Sequence, residues 1–331
     1  MTKKYSYKDA GVDIDLETDG VKALIKQLSF RRAGDYGMVG DVGHFSGLID
    51  LGSKVLSLCT DGVGTKMRVA DDLKDWTTVG IDCIAMNVND MYVMNIEPIG
   101  FVDYIATEGV NTPQMIQIGI GLNEGSRQSN MNIVGGETAT LKGMISGLDL
   151  AGTCLGIQDK DKVVTGEKVV PGDVIIGVAS TGVHSNGYTL ARKVAEENGG
   201  YKTVLPSGRT VGEALLTPTR IYAEVLDVCS KAVVHGMCHV TGGGLLNFLR
   251  ISSYGFAIED PLEVPEILAW IAEKGDLETN ELYRTFNMGM GFAFIVPKES
   301  VKTVLSMVKG SKVVGHVIEE HKVTLKGAAI T

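Results

Sequence analysis

Apolar residues along this chain follow two patterns, short continuous runs and helical spacing. The runs at residues 55–59 and 174–179 are typical of buried strands, whereas residues 78–94 carry apolar side chains at the spacing of a helix. The same patterns predict helices over 20–28, 114–128 and 189–198, another helix starting at 217–219, and strands over 101–106, 132–134, 148–156 and 289–296. Short strands mixed with helices favour domains of the α+β or α/β class.

A polar stretch divides the chain. Residues 160–172 carry several charged side chains and end in the turn dipeptide Pro171-Gly172. We expect the domain boundary there, with an N-terminal domain over residues 1–165 and a C-terminal domain over residues 166–331. The 331 residues are enough for two domains, each with its own hydrophobic core.

Composition and charge exclude several classes of protein. The formal net charge of −9 argues against nucleic acid as a partner. The five cysteines are scattered and lack any C-x-x-C pair, which indicates reduced thiols in a cytoplasmic protein and no zinc site. The first twelve residues have no apolar core of a signal peptide, and no apolar run is long enough to span a membrane.

Residues 60–66 read Thr-Asp-Gly-Val-Gly-Thr-Lys and directly follow a predicted strand. Asp61 can hold a divalent cation, and Lys66 carries a point charge suited to phosphate. Gly62 and Gly64 allow close approach of the backbone to a ligand and a positive φ. These residues predict a site for a metal–polyphosphate; the alternative is a turn in which Asp61 bonds its own loop.

Two further acidic segments extend this prediction. Asp82 and Asp90 lie eight residues apart in the predicted helix, so both can project from one side. Glu137 and Thr138 follow the dipeptide Gly135-Gly136, where a carboxylate can bind a metal or a substrate. A solvent-exposed helix face and a tight turn are the alternatives.

Glycine-framed polar loops recur in the second half. His184, Ser185 and Asn186 stand between two glycines before a predicted helix, and His239 precedes the glycines 242–244. Backbone N–H groups at a helix N-terminus bind anions, although the same residues also serve as helix caps. The chain contains neither a P-loop nor G-x-G-x-x-G, so a nucleotide site here is unconventional and a nicotinamide dehydrogenase is disfavoured.

Taken in order, these motifs resemble the phosphoribosylformylglycinamidine cyclo-ligase family, also called the AIR (aminoimidazole ribonucleotide) synthase family. The residues that carry the resemblance are 7–14, 60–66, 80–82 with 89–90, 135–138, 184–188, 217–222, 241–244 and 283–287. The resemblance implies an α+β fold. Its N-terminal domain has a four-stranded sheet that forms a barrel across a homodimer, and its C-terminal domain has an antiparallel sheet flanked by helices.

The resemblance also implies an activity, the ATP-dependent cyclisation of formylglycinamidine ribonucleotide to aminoimidazole ribonucleotide with release of ADP and phosphate. The cofactors expected are ATP and Mg²⁺, in a cleft between the domains. The expected metal ligands are Asp61 and Asp90. The expected catalytic residues are His184, Lys66 and Glu137. Residues expected at the nucleotide are Gly40, Gly43, Asp61, Gly62, Gly64, Asp90, Gly242 and Gly243. Residues expected at the substrate are Ser185, Asn186 and Thr138.

One segment departs from the family pattern. Where the family usually has a glycine-rich loop, residues 40–46 place Asp41, His44 and Ser46 at glycine positions. The departure raises the question of how this loop closes over nucleotide and whether His44 adds a contact. Two alternative functions stay open, another enzyme of the same ATP-binding superfamily and a catalytically silent nucleotide-binding subunit.

Overall fold

The computed structural model describes residues 7–8, 10–40 and 44–331, with the backbone alone at residues 14 and 15. Within these residues the chain forms two α+β halves, each built on one β-sheet. The elements of the first half are α1 (Ile14–Gln27), β1 (Met38–Val39), β2 (Gly47–Leu51), β3 (Lys54–Gly62), α2 (Lys66–Leu73), α3 (Val79–Tyr92), β4 (Glu97–Thr107), α4 (Thr112–Ser129), β5 (Asn132–Thr140) and β6 (Leu148–Asp159).

The N-terminal sheet has six strands in the order β1-β2-β3-β6-β4-β5, and not the expected four. The additional strands β1 and β2 extend the sheet beside β3. A two-residue turn joins β2 to β3 as a hairpin, and its first residue, Gly52, has a φ of +78° that glycine adopts without steric cost. The pairs within the sheet are antiparallel except for β4 and β5, which run parallel.

Helices α3 and α4 pack together through glycines. Helix α4 begins at a cap in which the Asn111 side chain accepts from the Gln114 N–H, and it ends where Asn130 turns left-handed. A Cβ on Gly80 of α3 would lie 2.2 Å from the Leu122 nitrogen, and a Cβ on Gly121 would lie 2.7 Å from the Thr77 oxygen. Because the obstructing atoms are backbone, only glycine permits this separation of the two helices.

The N-terminal sheet buries only one of its faces. Helix α3 packs against strands β3, β4 and β6 on that side. The opposite face leaves Leu58, Val102, Tyr104 and Val134 exposed by 42, 39, 42 and 70%. Exposed apolar side chains gathered on one sheet face are typical of an interface.

The second half of the chain follows a short 3-10 helix (Lys160–Lys162). Its strands are β7 (Val174–Ala179), β8 (Gly236–His239), β9 (Gly255–Ile258), β10 (Met290–Val296), β11 (Ser311–Ile318), β12 (Val323–Leu325) and β13 (Ala328–Ile330). Its α-helices are α5 (Tyr188–Glu197), α6 (Val211–Leu215), α7 (Glu224–Lys231), α8 (Glu266–Lys274), α9 (Thr279–Thr285) and α10 (Val301–Met307). Two further 3-10 helices cover Gly244–Arg250 and Lys298–Ser300.

The C-terminal sheet has seven strands in the order β13-β12-β9-β11-β7-β10-β8. Strands β9 and β12 run parallel and the other neighbouring pairs run antiparallel, so the sheet is mixed where an antiparallel one was expected. Strands β7 to β10 are buried along nearly their whole length, which explains why residues 174–179 and 289–296 read as continuous apolar runs.

One local prediction was wrong. No helix begins at residues 217–219: residues 217–222 have no regular secondary structure, and helix α7 starts only at Glu224. The dipeptide Gly135-Gly136 lies inside strand β5, which excludes the tight turn that stood as the alternative there. In the described part of the chain, none of the helices is long and apolar enough to cross a membrane.

We predict that Gly80→Ala lowers the free energy of unfolding by about 1–3 kcal/mol, because the added methyl group forces helices α3 and α4 apart. The matched control is Gly119→Ala, the same change at an exposed site of α4 where a Cβ meets no atom within 4 Å. That variant should gain up to ~1 kcal/mol from helix propensity. Urea unfolding measures both; equal midpoints for the two variants would contradict the close helix contact.

Candidate functional site

Asp61 and Asp90 lie close together where the two halves of the chain meet. Asp61 is near the end of β3 and Asp90 near the end of α3. Burial, and after it the negative charge of Asp90, raises the pKa of the Asp61 carboxyl to about 6. Asp61 Oδ1 accepts a hydrogen bond from the Gly62 N–H at 2.7 Å. Two carboxylates that repel each other in a partly buried position form a favourable place for a cation.

His239 of strand β8 supports Asp90 from the other half of the chain. Its Nδ1 lies 2.8 Å from Asp90 Oδ1, and its side chain is fully buried while Asp90 is a fifth exposed. Asn87 donates from Nδ2 to the backbone oxygen of Asp61 at 3.2 Å. The Asp90 carboxylate is therefore held by a neighbouring side chain, as metal-binding groups usually are, and Asp61 is held through its backbone.

The carboxylate pair suits a hydrated magnesium ion. Among the residues that the structure describes, no group of three or more His, Cys, Asp or Glu side chains converges as a metal cage. Mg²⁺ is commonly held by one or two carboxylates, with waters and substrate phosphates completing its six ligands. Asp61 and Asp90 fit that pattern, and the pattern does not require a third protein ligand.

Asp103 is a third acidic residue near this site, and the sequence motifs did not reveal it. It pairs with Gly152 in the sheet, as Asp61 does from the other side, so both side chains point to the same face. Burial raises the pKa of its carboxyl. A Cβ on Gly136 would lie 2.3 Å from Asp103 Oδ1, which explains the glycine there. The sequence signal that could have revealed Asp103 was an aspartate within an otherwise apolar strand.

Strand β5, at the edge of the sheet, carries Glu137 and Thr138, and both residues are exposed. Glu137 pairs with Tyr104 and therefore lies on the open face of the sheet, opposite to the face that carries Asp61 and Asp103. Within one chain, the structure does not bring Glu137 to the predicted metal ligands.

The structure gives Lys66 a contact different from the predicted phosphate. The side chain is fully buried, and Nζ lies 2.7 Å from Asp82 Oδ2. Nζ also donates to the backbone oxygens of Thr217 at 2.8 Å and His184 at 3.2 Å. An ammonium has three protons, and these three partners use them. In this arrangement no proton of Lys66 is left to donate to a phosphate, because Asp82 and two backbone carbonyls accept all three.

His184 is likewise engaged within the protein. It is 2% exposed and has a φ of +65°. Its Nε2 accepts from the Thr181 N–H at 3.2 Å, so the proton sits on Nδ1, which has no hydrogen-bond partner in the described part of the chain. Burial, with the charges of nearby basic groups, holds the pKa of His184 well below its usual value. The imidazole is neutral at physiological pH.

Ser185 and Asn186 differ in what they contact. The Ser185 hydroxyl lies 3.2 Å from Asp82 Oδ1 and 3.1 Å from the Thr219 hydroxyl, so its hydrogen bonds are internal. Asn186 is half-buried and lies opposite the glycine turn, where a Cβ on Gly242 would be 3.1 Å from Asn186 Oδ1. Asn186 is therefore the polar residue of this loop that borders the glycine turn.

The predicted nucleotide glycines have different conformations. Gly40, Gly64 and Gly243 have positive φ values of +73°, +65° and +91°, which glycine adopts without steric cost. Gly62 does not, contrary to expectation; a Cβ there would lie 3.3 Å from the Leu150 oxygen, so close packing accounts for it. Gly242 also lacks a positive φ. Residues 41–43 of the departing loop, which include Asp41 and Gly43, lie outside the described residues.

His44 and Ser46 both make contacts within the chain. His44 Nδ1 accepts from the Phe45 N–H at 2.9 Å, so Nε2 donates to the Thr165 oxygen at 3.2 Å. Ser46 accepts a hydrogen bond from Ser57 at 2.8 Å. The Arg250 guanidinium lies 4.2 Å from the centre of the Phe45 ring. The contact with Arg250 ties the end of the departing loop to the C-terminal half.

Comparisons with known proteins agree with this architecture. Residues 43–158 match the family "AIR synthase related protein, N-terminal domain", and residues 170–328 match its C-terminal counterpart. A phosphoribosylformylglycinamidine cyclo-ligase of Methanosarcina barkeri is 51% identical over 96% of this chain and 97% of the relative. The chain belongs to the phosphoribosylformylglycinamidine cyclo-ligase family. A member from Pyrococcus horikoshii is 44% identical over 98% of this chain and 99% of the relative.

Solved structures outside this cyclo-ligase family share the fold. A thiamine monophosphate kinase from Aquifex aeolicus superposes with a TM-score of 0.64 at 16% identity, covering 96% of this chain and 99% of the kinase. A T. maritima PurL complexed with ADP superposes with a TM-score of 0.58 at 15% identity, covering 89% of this chain and 45% of PurL. At these identities the similarity establishes the fold that the cyclo-ligase family shares with them.

We predict that Asp61→Asn gains stability relative to the native chain as pH rises, when metal and nucleotide are absent. The raised pKa means that the folded state holds this proton more tightly. The stabilisation is complete below the unfolded pKa of ~3.9 and is lost as pH rises through about 6. The variant should therefore gain about 1–3 kcal/mol between about pH 4 and pH 7.

Thermal unfolding at both pH values measures this difference. The control is Asp50→Asn, since a hydrogen bond from Lys160 lowers the pKa of Asp50. That variant should therefore lose stability relative to the native chain as pH rises. A stability difference between Asp61→Asn and the native chain that does not change with pH would contradict the raised pKa that burial and the charge of Asp90 give Asp61.

Proposed function

We propose that this chain catalyses the ATP-dependent cyclisation of formylglycinamidine ribonucleotide to aminoimidazole ribonucleotide, releasing ADP and phosphate, in purine biosynthesis. The observation that carries the proposal is the convergence of Asp61 and Asp90 at the junction of the two halves, in a chain that is 51% identical to a cyclo-ligase along nearly its whole length. The structural relatives named with ADP or AMPPCP support ATP as the nucleotide.

The chemistry requires activation of a poor leaving group, the formyl oxygen. The γ-phosphoryl group of ATP moves to that oxygen, which leaves ADP and an imidoyl phosphate. A nitrogen of the amidine region then attacks the activated carbon, the carbon–oxygen bond breaks and phosphate departs. Ring closure within one molecule gains most from a substrate held in a curled conformation.

Asp61 and Asp90 are the residues that we assign to Mg²⁺. The ion supplies charge neutralisation for the phosphate oxygens of ATP. His239 orients Asp90 through the 2.8 Å contact, and Asn87 holds the backbone at Asp61. Phosphoryl transfer depends mainly on positioning and charge, so precise placement of these carboxylates is the main contribution of the protein.

Other residues complete the proposed site. Asn186 and the glycines 242 and 243 border the same junction, and we assign them to the ribonucleotide and to the nucleotide. We assign Thr138 and Glu137 to substrate, on the exposed strand β5. His184 has a neutral, buried imidazole, so we propose that it shapes the loop and that its neighbour Asn186 makes the polar contact.

We further propose a homodimer in which two N-terminal sheets meet through their open faces and close into a barrel. The exposed apolar residues Leu58, Val102, Tyr104 and Val134 support it, because a partner sheet would bury them. The five cysteines are all free thiols, which supports a cytoplasmic location. The division at residues 165 and 166 falls between the two family matches.

The activity is tested by supplying ATP, Mg²⁺ and formylglycinamidine ribonucleotide and measuring both aminoimidazole ribonucleotide and phosphate. We predict that Asp61→Asn and Asp90→Asn each lower kcat by about 10²-fold or more, because stabilisation of charge by a metal is worth several kcal/mol. Asp50→Asn, a partly exposed carboxylate paired with Lys160, should retain native activity. Native kcat and Mg²⁺ dependence in Asp61→Asn would remove that residue from the site.

The same assay separates the alternative functions. ATP binding without phosphate release on addition of the ribonucleotide would indicate a silent nucleotide-binding subunit. Phosphate release with the substrate of another enzyme in the superfamily, and none with formylglycinamidine ribonucleotide, would indicate that other enzyme.

We predict that Val134→Asp shifts the protein from dimer to monomer, because it places a charge on the open sheet face. Sedimentation velocity measures the change. The control is Met144→Asp, which adds the same charge at a side chain that is 79% exposed outside the strands. A Val134→Asp protein that stays dimeric at micromolar concentration would contradict the barrel.

A further inference from the structure

We propose that Lys66 and Asp82 form a latch, a buried ion pair of the N-terminal half that positions the substrate loop of the C-terminal half. The substrate loop is defined here as residues 181–187, and the strap as residues 217–222. The proposal rests on the function proposed above. In it, Lys66 and Asp82 are positioning residues and contact neither ATP nor the ribonucleotide.

Lys66 joins the latch to both segments. It lies at the start of α2, and its side chain and that of Asp82 are both 0% exposed. Its ammonium donates to the oxygen of His184 in the substrate loop and to the oxygen of Thr217 in the strap. One cation of the first half thus connects two backbone carbonyls that lie more than thirty residues apart in the second half.

Asp82 makes the complementary set of contacts. Its Oδ1 accepts from the Thr219 N–H at 2.7 Å, from the Thr219 hydroxyl at 2.6 Å and from the Ser185 hydroxyl at 3.2 Å. Its other oxygen lies 2.7 Å from Lys66 Nζ. The carboxylate therefore also holds both the strap and the substrate loop, at positions next to those that Lys66 holds.

Further side chains of the N-terminal half continue the pattern along the strap. Thr78 donates to the Leu216 oxygen at 2.9 Å, just before the strap begins. Asn89 donates to the Arg220 oxygen at 2.8 Å and accepts from the Tyr222 N–H at 3.0 Å. These contacts satisfy backbone groups of the strap that would be paired with one another in a helix. The strap and the substrate loop are consequently fixed to α2 and α3.

A buried ion pair is a poor way to add stability, because taking two charges out of water costs about as much as their attraction returns. Replacing both charges by apolar groups is often neutral, whereas removing one leaves the other unpaired. The charges of the pair therefore add little to stability by themselves. What the pair supplies is orientation, because an apolar pair cannot hold the carbonyls of His184 and Thr217 or the N–H of Thr219.

This difference between single and double replacement gives the test. The variants are Lys66→Met, Asp82→Asn and the double variant Lys66→Met/Asp82→Leu. We expect both single variants to lower the thermal midpoint. The double variant should recover part of the loss, because no charge is left unpaired although backbone groups of the strap and the substrate loop still lack partners. We expect the KM for formylglycinamidine ribonucleotide to stay raised by about tenfold or more in the double variant, because that is the effect of losing one charge-assisted hydrogen bond. The KM for ATP should change by less than about threefold.

The matched control is the exposed ion pair Lys54–Asp159, with an N–O distance of 2.6 Å. Its double variant Lys54→Met/Asp159→Leu should change neither the midpoint nor either KM, since exposed pairs contribute little. If the single latch variants do not fold, Thr219→Val removes one hydrogen bond of Asp82 and keeps the ion pair. That variant should raise the KM for the ribonucleotide by a smaller factor in the same direction.

Amide hydrogen exchange provides a readout that is independent of activity. The double variant and the native chain are compared at temperatures equally far below their thermal midpoints. Amide exchange at residues 181–187 and 217–222 should then be faster by tenfold or more in the double variant. Native exchange in these segments would overturn the latch, whatever the activity. Joint recovery of midpoint and ribonucleotide KM would also overturn it. A native chain that forms no aminoimidazole ribonucleotide would instead overturn the proposed function, and the exchange result would still decide the latch.

Discussion

The structure depends on satisfying backbone groups of an irregular segment that is packed between two halves of the chain. Residues 217–222 form neither helix nor strand, yet their N–H and C=O groups lie against α2 and α3. A buried backbone group without a partner costs as much as a lost hydrogen bond. Lys66, Asp82 and Asn89 supply the partners, and this requirement fixes how the two halves meet.

The same junction sets the electrostatics of the site. Asp61 and Asp90 are brought together by the meeting of β3, α3 and β8, at a place that is partly withdrawn from water. Burial, and after it the negative charge of Asp90, raises the pKa of Asp61, so two ionised carboxylates at this place are electrostatically unfavourable without a cation. This is the usual relation between a functional site and the surrounding fold, in which strain at the site is supported by packing elsewhere.

The elements that could be predicted from the sequence are those whose apolar residues follow a local repeat. Strand β3 and helix α3 read correctly because their apolar residues repeat at the period of the element that they form. The prediction of a helix start in the strap is wrong because Pro218 is favourable at that position, whereas the side chains of Lys66, Asp82 and Asn89 that hold the strap lie more than 130 residues away. The charge of Lys66 predicts a phosphate contact, whereas in the structure it pairs with a carboxylate sixteen residues further along.

The contacts of the strap also bear on how the chain is made. Asp82 and Thr219 are 137 residues apart, so a ribosome releases α3 long before it reaches the segment that covers it. During that interval Lys66 and Asp82 lack the later segment that contacts them in the complete chain. The boundary between the two family domains therefore does not coincide with a unit that matures alone: final closure of the first domain waits for the synthesis of the second.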